Sequence, residues 1–170
     1  MVTSKSISGN VRQLVVALFI GGTVLFSSCA GDIPTDAGIP EISCDAVGLA
    51  EHCHVLDIVN DERQKEGLGL LIWNDELMLA AQAHAEDMFA NDYFSHNSRD
   101  GRNFVDRVGE TDYDASPTGE NIAYGYSSPE DVMIAWMDSP GHRANILSSQ
   151  STEVGVGFHE NYWVQVFGRR

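Results

Sequence analysis

One stretch of the chain joins a helix to a break and then to a histidine: AWMDSPGHRANIL, residues 135–147. The dipeptide Ser128-Pro129 predicts where this helix begins, because a Ser side chain caps a first turn and Pro suits the first helical position. The dipeptide Pro140-Gly141 predicts where it ends. His142 is therefore the first residue beyond the break, where it either stabilises local structure or is directed at a site. The rest of the chain decides between these alternatives.

Two longer helices are predicted upstream of this stretch. Apolar residues roughly follow helical spacing from Val47 onward, and Gly67, after a charged run, suits the C-terminus of the first helix. The second helix is predicted from Asn74 or Asp75 to Asn91, with acidic residues in its first turn, where the helix dipole favours them. Its many alanines indicate close approach to another element.

The end of the chain alternates apolar residues instead. Period-two patterning on both sides of a break at 159–161 predicts an antiparallel hairpin over about 154–167. A short helix is predicted at 103–108 and a short strand near 118–124. Helices come first and strands last, without regular βα alternation. We therefore expect an α+β domain with helices packed on a small antiparallel sheet.

The first 28 residues have the layout of a secretory signal peptide. Lys5 and Arg12 are their only charges, and the apolar run over 14–26 is followed by two serines. A basic start, an apolar middle and a small-residue exit are typical of such signals. The run is shorter than the about 20 residues that a spanning helix needs, which disfavours a permanent transmembrane segment.

Cys29 follows this signal in a setting that resembles a bacterial lipobox. The stretch LFSSCA, residues 25–30, has Phe26 where that pattern usually has Leu. We expect Cys29 to become the lipidated first residue, with ordinary secretion as the alternative. Residues 29–43 would then form the anchor and a flexible tether, and 44–170 the folded domain. Ala30, rather than Asp, after the cysteine favours delivery to the outer membrane where the host has one.

Two cysteines remain once Cys29 is acylated. Cys44 and Cys53 form an even pair, and in an oxidising compartment we expect a disulfide that closes a short loop. A metal cluster is the alternative, because His52 and His54 flank Cys53. No further cysteine is available to complete a thiolate site.

The chain beyond residue 28 is strongly acidic. It carries all 25 acidic residues but only eight of the ten basic ones, which gives a net charge of −17. This charge disfavours nucleic acids and anionic membrane surfaces as partners, since both are polyanions. We expect a monomer that meets the membrane only through its lipid anchor.

Residues with useful chemistry lie beside breaks in regular structure. His96, His142 and His159 occupy such positions, and Glu120 follows Gly119 in a similar one. Residues at such edges point into clefts more often than residues in the middle of helices. Two imidazoles and a carboxylate can form a zinc site or an acid–base set, provided that the fold brings them together.

Several segments together carry a resemblance to a known family. They are NDERQKEGLGLLIWNDELMLAAQAHAEDMFANDYFSH from Asn60, DGRNFVDR from Asp100, GENIA from Gly119, AWMDSPGHRANIL, and the C-terminal EVGVGF and YWVQVFG. In this order, over about 55–168, the chain resembles the CAP superfamily of cysteine-rich secretory proteins, antigen 5 and pathogenesis-related proteins. It is most similar to the bacterial SCP-like extracellular branch.

The resemblance implies an α/β/α sandwich, with a small antiparallel sheet between helices and a central cleft. Many members line that cleft with two histidines and two acidic residues that can hold a divalent metal such as zinc. His96 and His142 match the two histidines, and Glu120 matches the first acid. The break at Pro140-Gly141 would thus direct His142 into the cleft.

The second acid is where the chain departs from the family. Animal members have Glu three residues after the helix Trp; here Ser139 holds that position, with Asp138 beside it. Neighbouring helical residues point about 100° apart, so Asp138 need not face the cleft. A site with three protein ligands and a water remains open, and so does the loss of metal binding.

The other notable side chains are expected to be structural. Arg143 is expected to pair with a carboxylate, and Asn145 to bind backbone in the same region. The remaining candidates are interpreted as packed, helix-face, turn or core residues: His84, His52, His54, His159, Trp73, Trp136 and Trp163.

Three functions follow from the resemblance and the residues. The first is an envelope-anchored, extracytoplasmic binding domain whose cleft takes a lipid, a peptide or a wall component. The second is a metal- or His-dependent hydrolase, of protease or esterase type, that uses His96, Glu120 and His142. Against it, neither Gly-x-Ser-x-Gly nor His-Glu-x-x-His occurs. The third is a structural envelope protein whose cluster is only a scaffold.

Overall fold

The computed structural model of the protein describes residues 50–170. The predicted signal peptide, the tether, Cys29 and Cys44 lie outside the described residues, so their lipidation and disulfide stay predictions. The described part has the elements α1 (Ala50–Lys65), β1 (Ile72–Trp73), α2 (Asp75–Ala90), α3 (Phe104–Val108), β2 (Ser116–Tyr124), α4 (Pro129–Asp138), α5 (Pro140–Ile146), β3 (Glu153–His159) and β4 (Tyr162–Arg169).

The strands form one sheet in the order β1-β3-β4-β2. β4 pairs antiparallel with β3, as the sequence predicts, and also with β2, and β1 adds a two-residue parallel edge beside β3. The β3–β4 turn places Glu160 at φ 46° and Asn161 at φ 67°. Two residues at positive φ suit the twist of a hairpin. His159 therefore ends β3 and does not lie in the turn, contrary to our interpretation.

Helices cover both faces of the sheet, which confirms the α+β sandwich. On one face α2 packs against β3 and β4, and its buried residues join Val164 and Val166. On the other face α1 and α4 cover Trp163 and Phe167. The two-residue period of β4 thus divides its side chains between two cores.

The close approach that the alanines of α2 predict is confirmed. A Cβ atom added to Gly155 would lie 2.0 Å from the backbone nitrogen of Met78, and one added to Gly157 would lie 2.4 Å from the carbonyl carbon of Ala81. The backbones of α2 and β3 are therefore in direct contact. A side chain at either strand position would overlap the helix backbone, so only glycine allows this packing.

The break at Pro140-Gly141 differs from the prediction. α4 ends at Asp138, but Pro140 begins a second short helix, with Ser139 as the shared cap residue at φ −92° and ψ 119°. Proline suits this role because its fixed φ is already helical and its missing N–H is not needed in a first turn. The predicted end of α4 is thus confirmed, whereas the helix that begins at Pro140 was not predicted, and His142 lies in the first turn of this helix, α5.

None of the helices between residues 50 and 170 is both long enough and apolar enough to cross a bilayer.

His84 is packed inside the fold, as predicted. It is fully buried in α2, its Nε2 lies 2.9 Å from the carbonyl oxygen of Ser95, and its Nδ1 has no hydrogen-bond partner. Burial lowers the pKa of His84 below its ordinary value, and the guanidinium of Arg107 lowers it further; Glu120 and Asp87 act in the opposite direction. The fold therefore accommodates the neutral imidazole, with Nε2–H donating to Ser95.

We expect the free energy of unfolding to fall as the pH drops from neutral through 6.5, the ordinary value of a histidine. In this window the unfolded chain protonates His84 and the folded chain does not, so acid favours unfolding. One such proton contributes a slope of up to about 1.4 kcal/mol per pH unit. In urea titrations at several pH values, His84→Gln should flatten the slope, whereas His54→Gln, at an exposed position, should preserve it. Equal slopes for wild type and His84→Gln would contradict this account.

Candidate functional site

The centre of the candidate site is a buried carboxylate on β2. The side chain of Glu120 is only 2% exposed, and its residue pairs with Val166 of β4 in the middle of the ladder. Its two oxygens are held separately. Nη2 of Arg107 donates to Oε2 at 2.5 Å, and Nδ1 of His96 lies 2.8 Å from Oε1. Glu120 therefore links the buried guanidinium of Arg107 to the exposed imidazole of His96.

Arg107, in α3, is a site residue that the sequence analysis missed. Its side chain is 5% exposed. Its Nη1 donates to the carbonyl oxygens of His96 and Arg102 and to Oγ of Ser98. The guanidinium thus neutralises Glu120 and fixes the loop that carries His96. The sequence did contain a pattern that pointed to Arg107. This residue ends the motif DGRNFVDR, in which Asn103 and Asp106 form the capping box of α3.

His96 presents its imidazole at the surface of this cluster. Its side chain is 55% exposed, on the loop that follows α2. The Glu120 carboxylate, already paired with Arg107, accepts, so Nδ1 of His96 carries the hydrogen and donates it. Nε2 is therefore left to act as an acceptor or a metal ligand. An imidazole that a carboxylate orients in this way is common in metal sites and in acid–base catalysis.

His142, in α5, comes into the range of His96. It is half-buried, and its backbone carbonyl accepts a hydrogen bond from Nδ2 of Asn121 at 3.2 Å. Burial lowers the pKa of His142, and the charge of His96 lowers it further. The structure thus joins two of the three predicted residues by direct contact, His96 and Glu120, whereas His142 lines a separate hollow.

Two hollows, a polar part and an apolar part of the candidate site, share no lining residue. The polar part is a hollow of about 420 Å³ that includes His96, Glu120 and Asn145. The apolar part, about 350 Å³, is lined by His142 together with aromatic and aliphatic residues: Phe94, Ile122, Ala123, Tyr124, Tyr126, Ala135, Trp136 and Ser139. Such a pair of hollows suits a ligand with one polar and one apolar portion.

The two candidates for a fourth ligand position are separated by the kink between α4 and α5. Ser139 lines both the hollow that contains His142 and a neighbouring open hollow beside Asp131, whereas Asp138 is exposed and lines only the second of these two. Ser139, which replaces the family's second acid, is therefore the residue at the cleft.

The donor set for a metal is small. Within the described residues 50–170, no group of three or more His, Cys, Asp or Glu side chains is arranged to hold a metal ion. Both oxygens of Glu120 are engaged with Arg107 and His96. The donors that remain in the cleft are Nε2 of His96 and the ring of His142.

Most of the residues predicted to be structural have that role. Arg143 pairs with Glu66 at 2.8 Å, and Nδ2 of Asn145 donates to the carbonyl oxygen of Glu120 at 3.1 Å. Trp136 and Trp163 are fully buried, whereas Trp73 is half-buried, with its Nε1 donating to Asp75. The helix α1 buries His52 and exposes His54.

The fold and the cleft define an α/β/α domain of the SCP type, and comparison with known proteins gives the family. Residues 56–167 match the model of the CAP, or cysteine-rich secretory protein, family. The chain belongs to this family.

Its relatives include two proteins of Bacillus subtilis (strain 168). The chain is 40% identical over 116 residues to the uncharacterized membrane protein YlbC, covering 68% of this chain and 34% of that protein. It is also 40% identical over 115 residues to the uncharacterized protein YkwD, covering 66% and 45%. The chain thus spans less than half the length of either relative.

Solved structures share the fold. An extracellular protein of Bacillus anthracis str. Ames that contains an SCP domain superposes with a TM-score of 0.66 at 33% identity, over 71% of this chain and 41% of that one. An outer surface protein of Borrelia burgdorferi gives 0.61 at 24% identity, over 68% and 90%. The second similarity concerns the fold alone.

Proposed function

We propose that this protein is an exported, envelope-anchored CAP domain that binds a ligand in the cleft between His96 and His142. The observation that carries the proposal is the hydrogen bond between Nδ1 of His96 and the buried Glu120, which fixes an exposed imidazole at the cleft. The adjoining apolar hollow would hold the apolar part of a lipid, a peptide or a wall component.

Export and anchoring rest on the N-terminal sequence and on the relatives. The signal-like segment and Cys29 predict a lipoprotein. Related proteins described as extracellular or as a membrane protein support a location outside the cytoplasm. A Cys44–Cys53 disulfide belongs to the same proposal, since exported domains meet an oxidising environment. Mass spectrometry of the mature N-terminus would detect acylation of Cys29, and an unmodified cysteine would exclude the anchor.

Ligand binding is tested with one probe for each class. Palmitate, the peptide Leu-Tyr-Leu and muramyl dipeptide would be titrated into the full chain by calorimetry. We expect one probe to bind and His142→Ala to weaken that binding by about tenfold, or about 1.4 kcal/mol. His54→Ala, at an exposed position outside the cleft, is the matched control. Failure of all three probes, or equal binding by wild type and His142→Ala, would contradict the proposal.

A divalent metal is a second part of the proposal. The ligands that we propose are the imidazoles of His96 and His142, with Glu120 orienting His96 from behind. When bound, zinc would act there as a Lewis acid toward a ligand oxygen. This chain's own residues would position the ligand. Nδ1 of His96 would keep its hydrogen and continue to donate it to Glu120.

Zinc alone is expected to bind the wild-type chain and to bind less to His142→Ala. Two imidazoles form an incomplete set of ligands compared with a closed four-ligand site, so we expect easy removal by a chelator. Metal analysis after dialysis, with His54→Ala as control, measures the difference. Equal zinc content in wild type and His142→Ala would remove the proposed site.

A hydrolase remains the alternative function, and one observation favours it. His96 and Glu120 form an oriented imidazole–carboxylate pair, which is the arrangement of a general base. His96 would then take a proton from water while Glu120 holds the ring. Turnover of p-nitrophenyl esters or of casein that is lost in His96→Ala would favour this function over binding.

A further inference from the structure

Five aromatic rings form a continuous row on the surface, outside the His–Glu cluster. Neighbouring rings are in contact in the order Phe94, Tyr124, Tyr162, Phe89 and His159. The distances between successive ring centroids are 6.4, 4.3, 6.3 and 4.8 Å. We call this row the aromatic ridge. It joins the loop after α2, the end of β2, the hairpin β3–β4 and the C-terminal turn of α2.

The aromatic ridge is exposed along most of its length. Phe94 is 51% exposed, Tyr124 56% and Phe89 48%, whereas Tyr162 is buried beneath them. Exposed apolar residues that occur singly are ordinary, but a contiguous row of rings marks an interaction surface. The packing of the fold does not require these three rings to be aromatic.

The aromatic ridge continues the cleft. Phe94 and Tyr124 line the apolar hollow that contains His142, whereas Phe89 and His159 lie beyond it. A partner that occupies the ridge is therefore longer than a ligand that fills only the cleft. The ridge does not depend on the cleft being occupied, so the two can be tested separately.

Two acidic residues lie next to the aromatic ridge in the sequence. Asp92 and Glu160 flank the ridge, and neither forms an ion pair within residues 50–170. Burial, then Tyr124 and Asp92, raise the pKa of Tyr162, so Asp92 acts on the ring row. Arg99 is nearby, but its guanidinium is bound to the backbone oxygens of Asn91 and Asp92.

We propose that the aromatic ridge docks a basic, extended segment of a partner polypeptide. Lys and Arg side chains are attracted both to the faces of aromatic rings and to the flanking carboxylates. The net charge of −17 beyond residue 28 acts in the same direction, since it attracts cations and repels an anionic membrane surface. Neutral sugar polymers could donate hydrogen bonds to Asp92 and Glu160, but they would gain no charge attraction from them.

The test uses the full chain and a short peptide that alternates Lys and Leu, measured by fluorescence anisotropy. We expect the peptide to bind, its affinity to fall steeply with added salt, and Phe89→Ala to weaken it by about tenfold. Asp92→Asn should weaken binding several-fold. Leu70→Ala, which removes an equally exposed apolar residue elsewhere, should leave it unchanged.

The comparison probes separate other partners. A peptide that alternates Glu and Leu, a chitin oligosaccharide and phosphatidylcholine vesicles should all bind more weakly than the basic peptide. Preferential binding of the sugar or of vesicles would overturn the proposal, and so would equal binding by Phe89→Ala and wild type. Because Phe89 does not line the hollow that contains His142, this variant should lose peptide binding but keep its binding of whichever cleft probe binds the wild-type chain; that result would support the ridge independently of the cleft.

Discussion

Replacement of Arg107 by Met is expected to lower the free energy of unfolding by about 3–5 kcal/mol. The substitution leaves Glu120, whose side chain is 2% exposed, without its cation. It also removes the donor to the carbonyl oxygens of His96 and Arg102 and to Oγ of Ser98. An unpaired buried carboxylate is far more unfavourable than the paired one, because the solvation lost on burial is no longer offset. Chemical denaturation followed by circular dichroism measures the loss.

Two controls separate this mechanism from a general loss of packing. Arg107→Met combined with Glu120→Leu removes both charges and should recover a substantial part of the stability. Arg102→Met breaks ion pairs with Asp100 and Glu110 at the surface and should change the stability little. A loss below about 1 kcal/mol for Arg107→Met would show that Glu120 is not held in a buried pair.

Replacement of Arg63 by Met is expected to cost about 3 kcal/mol. Arg63, in α1, is 2% exposed and donates to four carbonyl oxygens: those of Gly69, Ile146, Ser148 and Ser151. No carboxylate lies among these partners. Burial lowers the pKa of Arg63, yet the guanidinium remains charged at any ordinary pH. The variant would leave these carbonyls without their donor, and denaturation in urea measures the change.

The same residue connects stability to the site. Ile146 ends α5, the helix that carries His142, so Arg63 holds that helix to α1 and to the loop before β3. Arg63→Lys should recover only a minor share, because a single ammonium cannot reach four carbonyls in the geometry of a guanidinium. Arg143→Met, whose partner Glu66 is exposed, is the control and should change stability little. Equal stability of Arg63→Met and wild type would contradict this role.

Local patterns in the sequence predict most of the fold. Helical spacing and capping residues predict α2 and α4. The side chains of Asn74 and Ser128 accept hydrogen bonds from backbone N–H groups in the first turns of these helices, as expected. Alternation gives β3 and β4, since each strand separates two cores. The parallel strand β1 has two residues and is too short to show a period.

The candidate site could be predicted only in part. The motifs identify His96, Glu120 and His142, but they do not reveal that Arg107 already neutralises Glu120. That contact depends on the packing of α3 against β2, which no local pattern encodes. The positions of Asp138 and Ser139 depend in the same way on the kink before Pro140, which the sequence indicates as an end and the fold uses as a new beginning.

The central claim is that His96 and His142 face one cleft beside Glu120, and a titration by nuclear magnetic resonance tests it most directly. The pKa of His142 is expected below the ordinary 6.5 of a histidine, because the ring is partly buried and lies near His96. In His96→Ala the pKa of His142 should rise, since one source of the depression is gone. His54, at an exposed position on α1, reports any general effect of the substitution.

The account predicts an upward shift of the pKa of His142 in His96→Ala. If His142 instead titrates at the ordinary value in the wild-type chain and does not respond to His96→Ala, the two imidazoles do not share a cleft, and the proposed site is wrong.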